Sequence, residues 1–283
     1  MMTETIPLHA PDFDRINQKT YSKRGVLRQF ETASGWLEPG ERVAIEHVAD
    51  AVRGGAILDI GIGGGRTAPL MAEISANYRG VDYTPAMVEV ARRRFPKLCF
   101  HEMDARRMNF ADDSFQLVAF SYNGIDSVDL AGRLDILRQV HRVLSPGGYF
   151  VFSALNIQGP AHGENWPDFG VFRNAGLSPI RLPRALGRFA QGGFNWLRYR
   201  MVTKADPDVA IGNVSAHNFG LVTLFTSLEA QLRQLHDCGF AVEAIFEPDG
   251  RRIAADGSEP SSAPWCHFVA RKDVRGNDEV TLQ

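Results

Sequence analysis

The sequence predicts an α/β protein built on one doubly wound, mostly parallel sheet of seven strands. Three observations carry the prediction. Five short apolar runs, at 56–60, 78–83, 98–103, 115–122 and 148–155, recur with helix-like stretches between them, the clearest at 85–95 and 129–144. Strands alternating with helices at this spacing assemble into a parallel sheet covered on both faces. The first run passes directly into a glycine-rich turn and then a helix, and two more strand-like runs, 240–246 and 266–271, follow near the end.

Taken in order, residues 1–40 form a polar, aromatic-dotted N-terminal cap, with Pro39-Gly40 as a break. The core begins at Glu41, where Val43, Ala44, Val48 and Val52 set a helical stripe that runs into Gly54-Gly55. It continues to 153. Residues 154–220 lose the rhythm, with scattered Gly and Pro and the aromatics Trp166 and Trp196, and read as an irregular insertion. Residues 221–271 return to the core. There Thr226 and Glu229 have capping-box spacing ahead of Leu228, Leu232 and Leu235, and Cys238-Gly239 ends the helix. Residues 272–283 read as a flexible tail.

Composition narrows the class. With 283 residues, 44% hydrophobic and 23% charged, the chain is an ordinary globular one rather than disordered or fibrous. A formal net charge of −2 gives no global attraction to nucleic acid or membrane. The longest apolar stretch, about seven residues around Tyr149–Leu155, is far below the ~20 that span a bilayer. The opening MMTETIPLHAPDFDR has no basic region followed by an apolar one, so no secretory signal is expected. Three cysteines, Cys99, Cys238 and Cys266, form no CxxC pair, which points to a reducing cytoplasm.

The glycine turn, Gly61-Ile62-Gly63-Gly64-Gly65-Arg66-Thr67, lets backbone approach a ligand closely, and the helix after it offers free N–H groups to an anion. A pyrophosphate or a carboxylate would suit it equally. Arg66 stands where a dinucleotide fingerprint needs its third glycine. Asp82 ends the next strand and is placed to accept from ribose hydroxyls. Thr84 and Pro85 then open a helix.

The pattern Leu58-Asp59-x-Gly61-x-Gly63-x-Gly65-Arg66, followed by Gly80-Val81-Asp82-x-Thr84-Pro85, resembles the class I S-adenosylmethionine-dependent methyltransferases. Within them it is similar to the small-molecule branch that includes quinone-biosynthesis and natural-product enzymes. Met103-Asp104-Ala105, Phe110 to Phe115, Arg142 to Gly148 and the segment from Phe225-Thr226 to Gly239-Phe240 follow in the same order. The resemblance covers 40–156 and 221–271, and Gln116 departs from it where an Asp is usual. It implies a Rossmann-like sheet of seven strands, the last antiparallel, with a lid at the carboxyl edge. It also implies S-adenosylmethionine as cofactor. By the same resemblance Asp59, Gly61 and Gly63 would surround the methionine part, and Asp82 would hold the ribose. Tyr83 would lie on the adenine, Asp104 and Ala105 would meet its edge, and Ser121 would face the reaction centre.

The acceptor is expected to be a small molecule methylated on O or N. Ser121-Tyr122-Asn123-Gly124 lacks the Asp/Asn-Pro-Pro-aromatic motif of base-methylating enzymes, and no Pro-Cys pair or double-Glu loop is present. Asn123 and Asn156 end the fourth and fifth strands, where open α/β sheets bind ligands. Tyr21 and Arg24 stand with them as substrate-side candidates in the cap. His162 and His217 lie in the insertion, where a base could reach an acceptor, beside the plainer role of tethering a loop. His141, His236 and His101 read as structural, and no metal-ligand spacing occurs. Between Arg173 and Lys204 there are seven basic residues and no acidic one, interleaved with Leu182, Leu186, Phe189, Phe194, Trp196, Leu197 and Tyr199. Three readings stay open for this stretch: a lid for an anionic, partly apolar acceptor, a patch for a membrane surface, or a solvated basic face. Two other functions also stay open, an NAD(P)-dependent oxidoreductase and a non-catalytic cofactor-binding protein.

Overall fold

The computed structural model describes residues 12–32, 35–162, 181–200 and 208–273. The first eleven residues of the cap, Trp166, Arg173, Lys204, the Arg200 side chain and the tail from 274 lie outside the described residues.

The cap folds as two helices, α1 (Phe13–Tyr21) and α2 (Arg24–Thr32). Asp12 caps α1 by accepting the Arg15 N–H at 3.0 Å. Phe13, Asn17 and Thr20 recur at i, i+4 and i+7 and are buried. Pro39-Gly40 is not a break: it forms the first turn of α3 (Pro39–Ala49), with proline where its missing N–H costs nothing. Gly40 is needed because a Cβ there would stand 2.1 Å from the Glu247 carbonyl oxygen.

The core then runs β1 (Ile57–Ile60), α4 (Ala68–Ile74), β2 (Tyr78–Asp82), α5 (Pro85–Arg94), β3 (Cys99–Glu102), β4 (Phe115–Phe120), α6 (Leu130–Val143) and β5 (Leu144–Leu155). After it come α7 (Arg181–Arg200), β6 (Val209–Val214), β7 (Leu221–Thr226), α8 (Leu228–Asp237), β8 (Phe240–Phe246), β9 (Arg252–Ile253) and β10 (Trp265–Lys272). The main sheet has the order β3-β2-β1-β4-β5-β10-β8-β9. β1 pairs in parallel with β2 and β4, and β10 is antiparallel to both β5 and β8. The seven expected strands are present, and the two-residue β9 adds an eighth at the edge.

Every residue of β1 is buried, as a strand covered on both faces requires. On one face Ala44, Ile45, Val48, Met71 and Val88 pack against Ile57, Leu117 and Val269. On the other, Ile136, Leu137, Val140, Leu228 and Leu235 pack against Leu58, Val118, Phe150 and Phe268. Each large apolar side chain removed from water contributes about 1.5–3 kcal/mol, so these two layers fix where the strand ends lie.

Two expectations near the insertion need correction. Residues 221–226 do not return to the main sheet; they form β7, which pairs with β6 as a separate hairpin. Thr226 is therefore the last residue of a strand, and the cap of α8 is Ser227, whose Oγ accepts the Ala230 N–H at 3.1 Å. The hairpin covers a small apolar cluster of Leu155, Ala161, Ala210 and Phe225 above the end of β5.

Candidate functional site

The carboxyl ends of β1, β2, β3 and β4 meet at one edge, where the glycine turn begins. Gly61, Gly63 and Gly65 have φ of +63°, +52° and +75°, which L side chains adopt at a cost. A Cβ on Gly61 would come within 2.5 Å of the Phe120 ring. The turn is held from below by Asp59, which accepts from Thr67 Oγ1 at 2.7 Å and Tyr78 Oη at 3.0 Å. Burial pushes the Asp59 carboxyl up to about 6, against the pull of those two hydrogen bonds and of Arg66.

Asp82 receives the Gly63 N–H at 2.9 Å and the Thr84 N–H at 2.8 Å. Burial pushes its carboxyl up to about 6 as well, opposed by those backbone donors. Beside it opens a cleft of about 530 Å³ lined by Asp14, Gln18, Tyr83, Glu102, Met103, Asp104 and Arg106. Tyr83 is fixed through its carbonyl, which accepts from Gln18 Nε2 at 3.1 Å. Arg106 reaches Asp104 at 2.6 Å and Asp14 at 2.9 Å, closing the cleft's floor onto α1. Burial alone would raise the Asp104 carboxyl, but its bonds to Arg106 bring it below the ordinary value. Ala105 is buried beside it. Among the described residues Tyr83 Oη and Asp14 Oδ1 are buried and meet no protein partner, so the cleft offers polar atoms to a guest.

The helix α1 serves both sides. Its buried face is pinned by Asn17, which donates to Ser127 O at 2.9 Å and Val222 O at 2.8 Å and accepts the Val222 N–H at 3.0 Å. Its other face puts Asp14 and Gln18 into the cleft. Tyr21, one turn on, packs edge-on against Phe30 at 6.3 Å and His217 at 6.0 Å. Phe30 in turn lies against Gly63, and its carbonyl oxygen against Gly64. His217 is therefore joined to the glycine turn through two aromatic rings. Burial, then Lys23, lower its pKa, so its imidazole is neutral at pH 7. His217, Asn218 and Phe219 hold φ of 53°, 57° and 55°, a left-handed run without glycine.

After β4, half-buried Ser121 is followed by Tyr122 and Asn123, both left-handed at φ 54° and 59°. Asn123 donates its N–H to Ser153 Oγ at 2.8 Å, and its Oδ1 is buried with no donor among the described residues. Asn156 is a different case. Its Nδ2 donates to Ser261 O at 2.8 Å and Ala263 O at 3.1 Å, and its Oδ1 accepts the Gln158 N–H at 3.1 Å. Its amide is consumed in tying β5 to that loop, which removes it as an acceptor contact. His162 packs on Phe225 of the hairpin, apart from the Tyr21–Phe30–His217 group. Arg24 opens α2 and is exposed.

Asp14, Gln18 and Phe30 were not singled out in the sequence, and Arg66 was marked there only for its place in the glycine turn. Arg66 bonds Glu41 with both terminal nitrogens and the Trp36 carbonyl at 2.9 Å. Its guanidinium also lies 4.6 Å from the Trp36 ring and 5.4 Å from the Tyr122 ring, joining cap to glycine turn. Gln18 and Asp14, one turn apart ahead of Tyr21, were legible as a polar helix face. Phe30 carried no signal, because its partner lies far along the chain.

Comparison with known proteins agrees with this geometry. Residues 57–148 match the family described as a methyltransferase domain. A demethylmenaquinone methyltransferase of Chlorobaculum parvum is 41% identical over 93 residues, 32% of this chain and 37% of that one. One of Renibacterium salmoninarum is 30% identical over 161 residues, 57% of this chain and 60% of its own. Residues 57–148 therefore form a methyltransferase domain, within a chain that has the fold of the S-adenosylmethionine-dependent methyltransferases. It spans about a third to three fifths of the length of these two curated relatives. Solved methyltransferases share the fold. The CcbJ methyltransferase from Streptomyces caelestis superposes with a TM-score of 0.60 at 15% identity, covering 90% of this chain and 99% of that one. A Burkholderia thailandensis 1,6-didemethyltoxoflavin-N1-methyltransferase, solved with its acceptor and S-adenosylhomocysteine, gives 0.56 at 14% identity, covering 95% and 93%. Against this methyltransferase background Arg66, engaged with Glu41 and Trp36, explains why the turn departs from a dinucleotide fingerprint. Among the described residues no group of three His, Cys, Asp or Glu could hold a metal, and no helix is long and apolar enough to cross a membrane.

Proposed function

We propose that the chain transfers a methyl group from S-adenosylmethionine to an O or N atom of a small, quinone-like or natural-product acceptor. The observation that carries this is the cleft between α1 and the ends of β2 and β3. There Tyr83, next in the chain to buried Asp82, lines the cleft with Asp104, and Tyr83 Oη and Asp14 Oδ1 are buried with no partner among the described residues. The residues fit the cofactor part by part. Asp82 suits a ribose diol, since each carboxylate oxygen keeps a lone pair beyond its backbone bond. Tyr83 and Met103 suit an adenine face, and Asp104, whose two oxygens accept from Arg106, reaches its amino edge only by sharing them with that arginine. Exposed Gly61 leaves the turn's backbone open to the amino-acid end, beside Ser121, while Phe30 lies over Gly63.

The cofactor, when bound, supplies a methyl on an activated sulfonium. The protein's share is then alignment and the exclusion of water. Phe30 and Tyr21 screen the glycine turn from solvent on the cap side. Asn123 Oδ1 is ready to receive a donor from the acceptor. His217 is the base: neutral, and held by a strained backbone beside Tyr21, it can take the proton of an acceptor hydroxyl or ammonium. The quinone-like class rests on the two relatives named as demethylmenaquinone methyltransferases.

Calorimetric titration with S-adenosylhomocysteine, run beside NADH, tests the reading. Micromolar binding of the first and none of the second is expected. Asp82→Asn should weaken it by about thirtyfold or more, the loss of charge-assisted bonds to two hydroxyls. A preference for NADH would overturn the proposal. With an acceptor in hand, His217→Gln should lower kcat by about a hundredfold and leave S-adenosylhomocysteine affinity unchanged.

A further inference from the structure

Helix α7 (Arg181–Arg200) stands out from the other helices of the molecule. At 1.5 Å per residue its 20 residues extend about 30 Å. Its inner face, with Ala185, Gly192, Gly193 and Asn195 buried, packs on β6 and on the 216–219 turn. Asn195 Nδ2 donates to the Asn218 carbonyl at 2.9 Å, next to His217. Its outer face is unusual. Leu186, Ala190, Phe194 and Leu197 recur at i, i+4, i+8 and i+11 and all point to solvent. Leu186, Phe194 and Leu197 are 52%, 63% and 61% exposed, three of the six large apolar side chains exposed among the described residues. An apolar stripe of this size on a helix otherwise anchored to the fold calls for a partner.

Charge names the partner. The helix carries five arginines and no acidic residue. Arg198 is exposed about 80° round the helix from the middle of the stripe, and Arg184 and Arg188 are exposed further round on the same side. A docked protein helix or a second copy would be selected by acidic groups at fixed positions. The chain's own surface helices carry mixed charge, such as the Glu229–Arg233 pair of α8. A row of like-charged guanidiniums beside a plain aliphatic and aromatic stripe suits a surface that is fluid, apolar below and anionic above.

We propose that α7 docks the protein on an anionic lipid surface, Leu186, Phe194 and Leu197 entering the acyl boundary while the arginines meet lipid phosphates. Because the inner face is bonded to the turn that carries His217, docking brings the mouth of the site to the membrane. An amphipathic acceptor would then enter from the lipid without crossing water. The docking itself stands on α7 alone and not on the methyl-transfer reading.

The test is co-sedimentation of the full chain with phosphatidylcholine vesicles, with and without about 30 mol% phosphatidylglycerol. No cofactor or acceptor is present, so the outcome is independent of turnover. Binding is expected with the anionic vesicles alone, and largely lost in about 0.5 M salt, where screening reaches a few ångströms. Phe194→Ser and Leu197→Ser should each weaken partitioning by about tenfold. Arg184→Gln with Arg188→Gln should weaken it without altering the apolar stripe. All these positions are exposed, and unchanged thermal midpoints will show that the variants fold. Equal binding to both vesicles, binding to neither, or variants that sediment like the parent would overturn the proposal. So would a serine variant that converts a dimer to a monomer in solution, since a second copy would then be the occupant.

Discussion

Asp82 links burial to ligand binding in a way that pH can read. Its folded-state carboxyl is pushed up to about 6 from 3.8, chiefly by burial. The ionised form is the better acceptor of ribose hydroxyls, so affinity for S-adenosylhomocysteine should be flat above pH 7. It should fall by about tenfold per unit below 6, as one proton competes. For folding the sign is reversed. A carboxyl raised in the folded state favours that state fully below its unfolded value near 3.8, and the benefit is lost as pH rises through about 6. The unliganded protein should therefore gain from Asp82 on mild acidification while the complex weakens. Titrations at pH 7.5, 6 and 5 beside thermal midpoints check both signs; an affinity unchanged across that range would remove Asp82 from the ribose role. Asp82 was legible in the sequence because it closes a strand at a fixed distance after the glycines. Phe30 and the contacts of Arg66 were not, because each meets partners on other elements that only the folded chain assembles.

At the scale of elements, α1 couples the β6–β7 hairpin to the cleft proposed for the cofactor. Asn17 bonds the post-β4 turn and the first half of β7 from one side of the helix, while Asp14 and Gln18 line the cleft from the other. Replacing Asn17 by Ala leaves the Val222 N–H and two carbonyls without their partner. The expected cost is about 2–3 kcal/mol of stability by denaturant titration, with weaker S-adenosylhomocysteine binding as α1 loosens. A stability loss with unchanged affinity would show that α1 does not form the cleft wall. The β/α core was readable because each strand runs apolar into a turn and then a helix. The β6–β7 hairpin was not. Val209–Val214 carries Gly212-Asn213 in its middle, which reads as a loop. The turn between the strands uses left-handed His217, Asn218 and Phe219 in place of an Asn-Gly pair. Thr226 then borrowed the look of a cap from the serine beside it.

Across the whole molecule, one buried network holds the loops of the carboxyl edge together. Arg133 of α6, with no exposed side chain, pairs with Asp126 and bonds Gln231 and Gln234 of α8. Asp126 also accepts the Leu155 N–H at 2.6 Å, and Gln231 bonds Thr226. Burial works against both charges, raising the Asp126 carboxyl and lowering the Arg133 guanidinium, and each offsets the other's cost. Arg133→Met should therefore cost about 3–5 kcal/mol, because it strands a buried carboxylate, and Asp126→Leu added to it should recover most of the loss. Chemical denaturation of both variants decides this; equal stability of single and double variants would mean the pair is not coupled. Nothing in the sequence marks Arg133, because its glutamine partners come far later in the chain.

Left-handed backbone is concentrated at this same edge. Tyr122, Asn123, His217, Asn218 and Phe219 make up five of the six non-glycine residues with positive φ among those described. Each such residue holds of order 1 kcal/mol that the fold would release if glycine stood there. A population of variants selected for heat resistance alone would thus drift to glycine at these positions first, shedding the tyrosine, asparagine and histidine side chains as it went. On the roles proposed for His217 and Asn123, durability and chemistry compete here for the same few residues, and the natural side chains persist at the expense of the first.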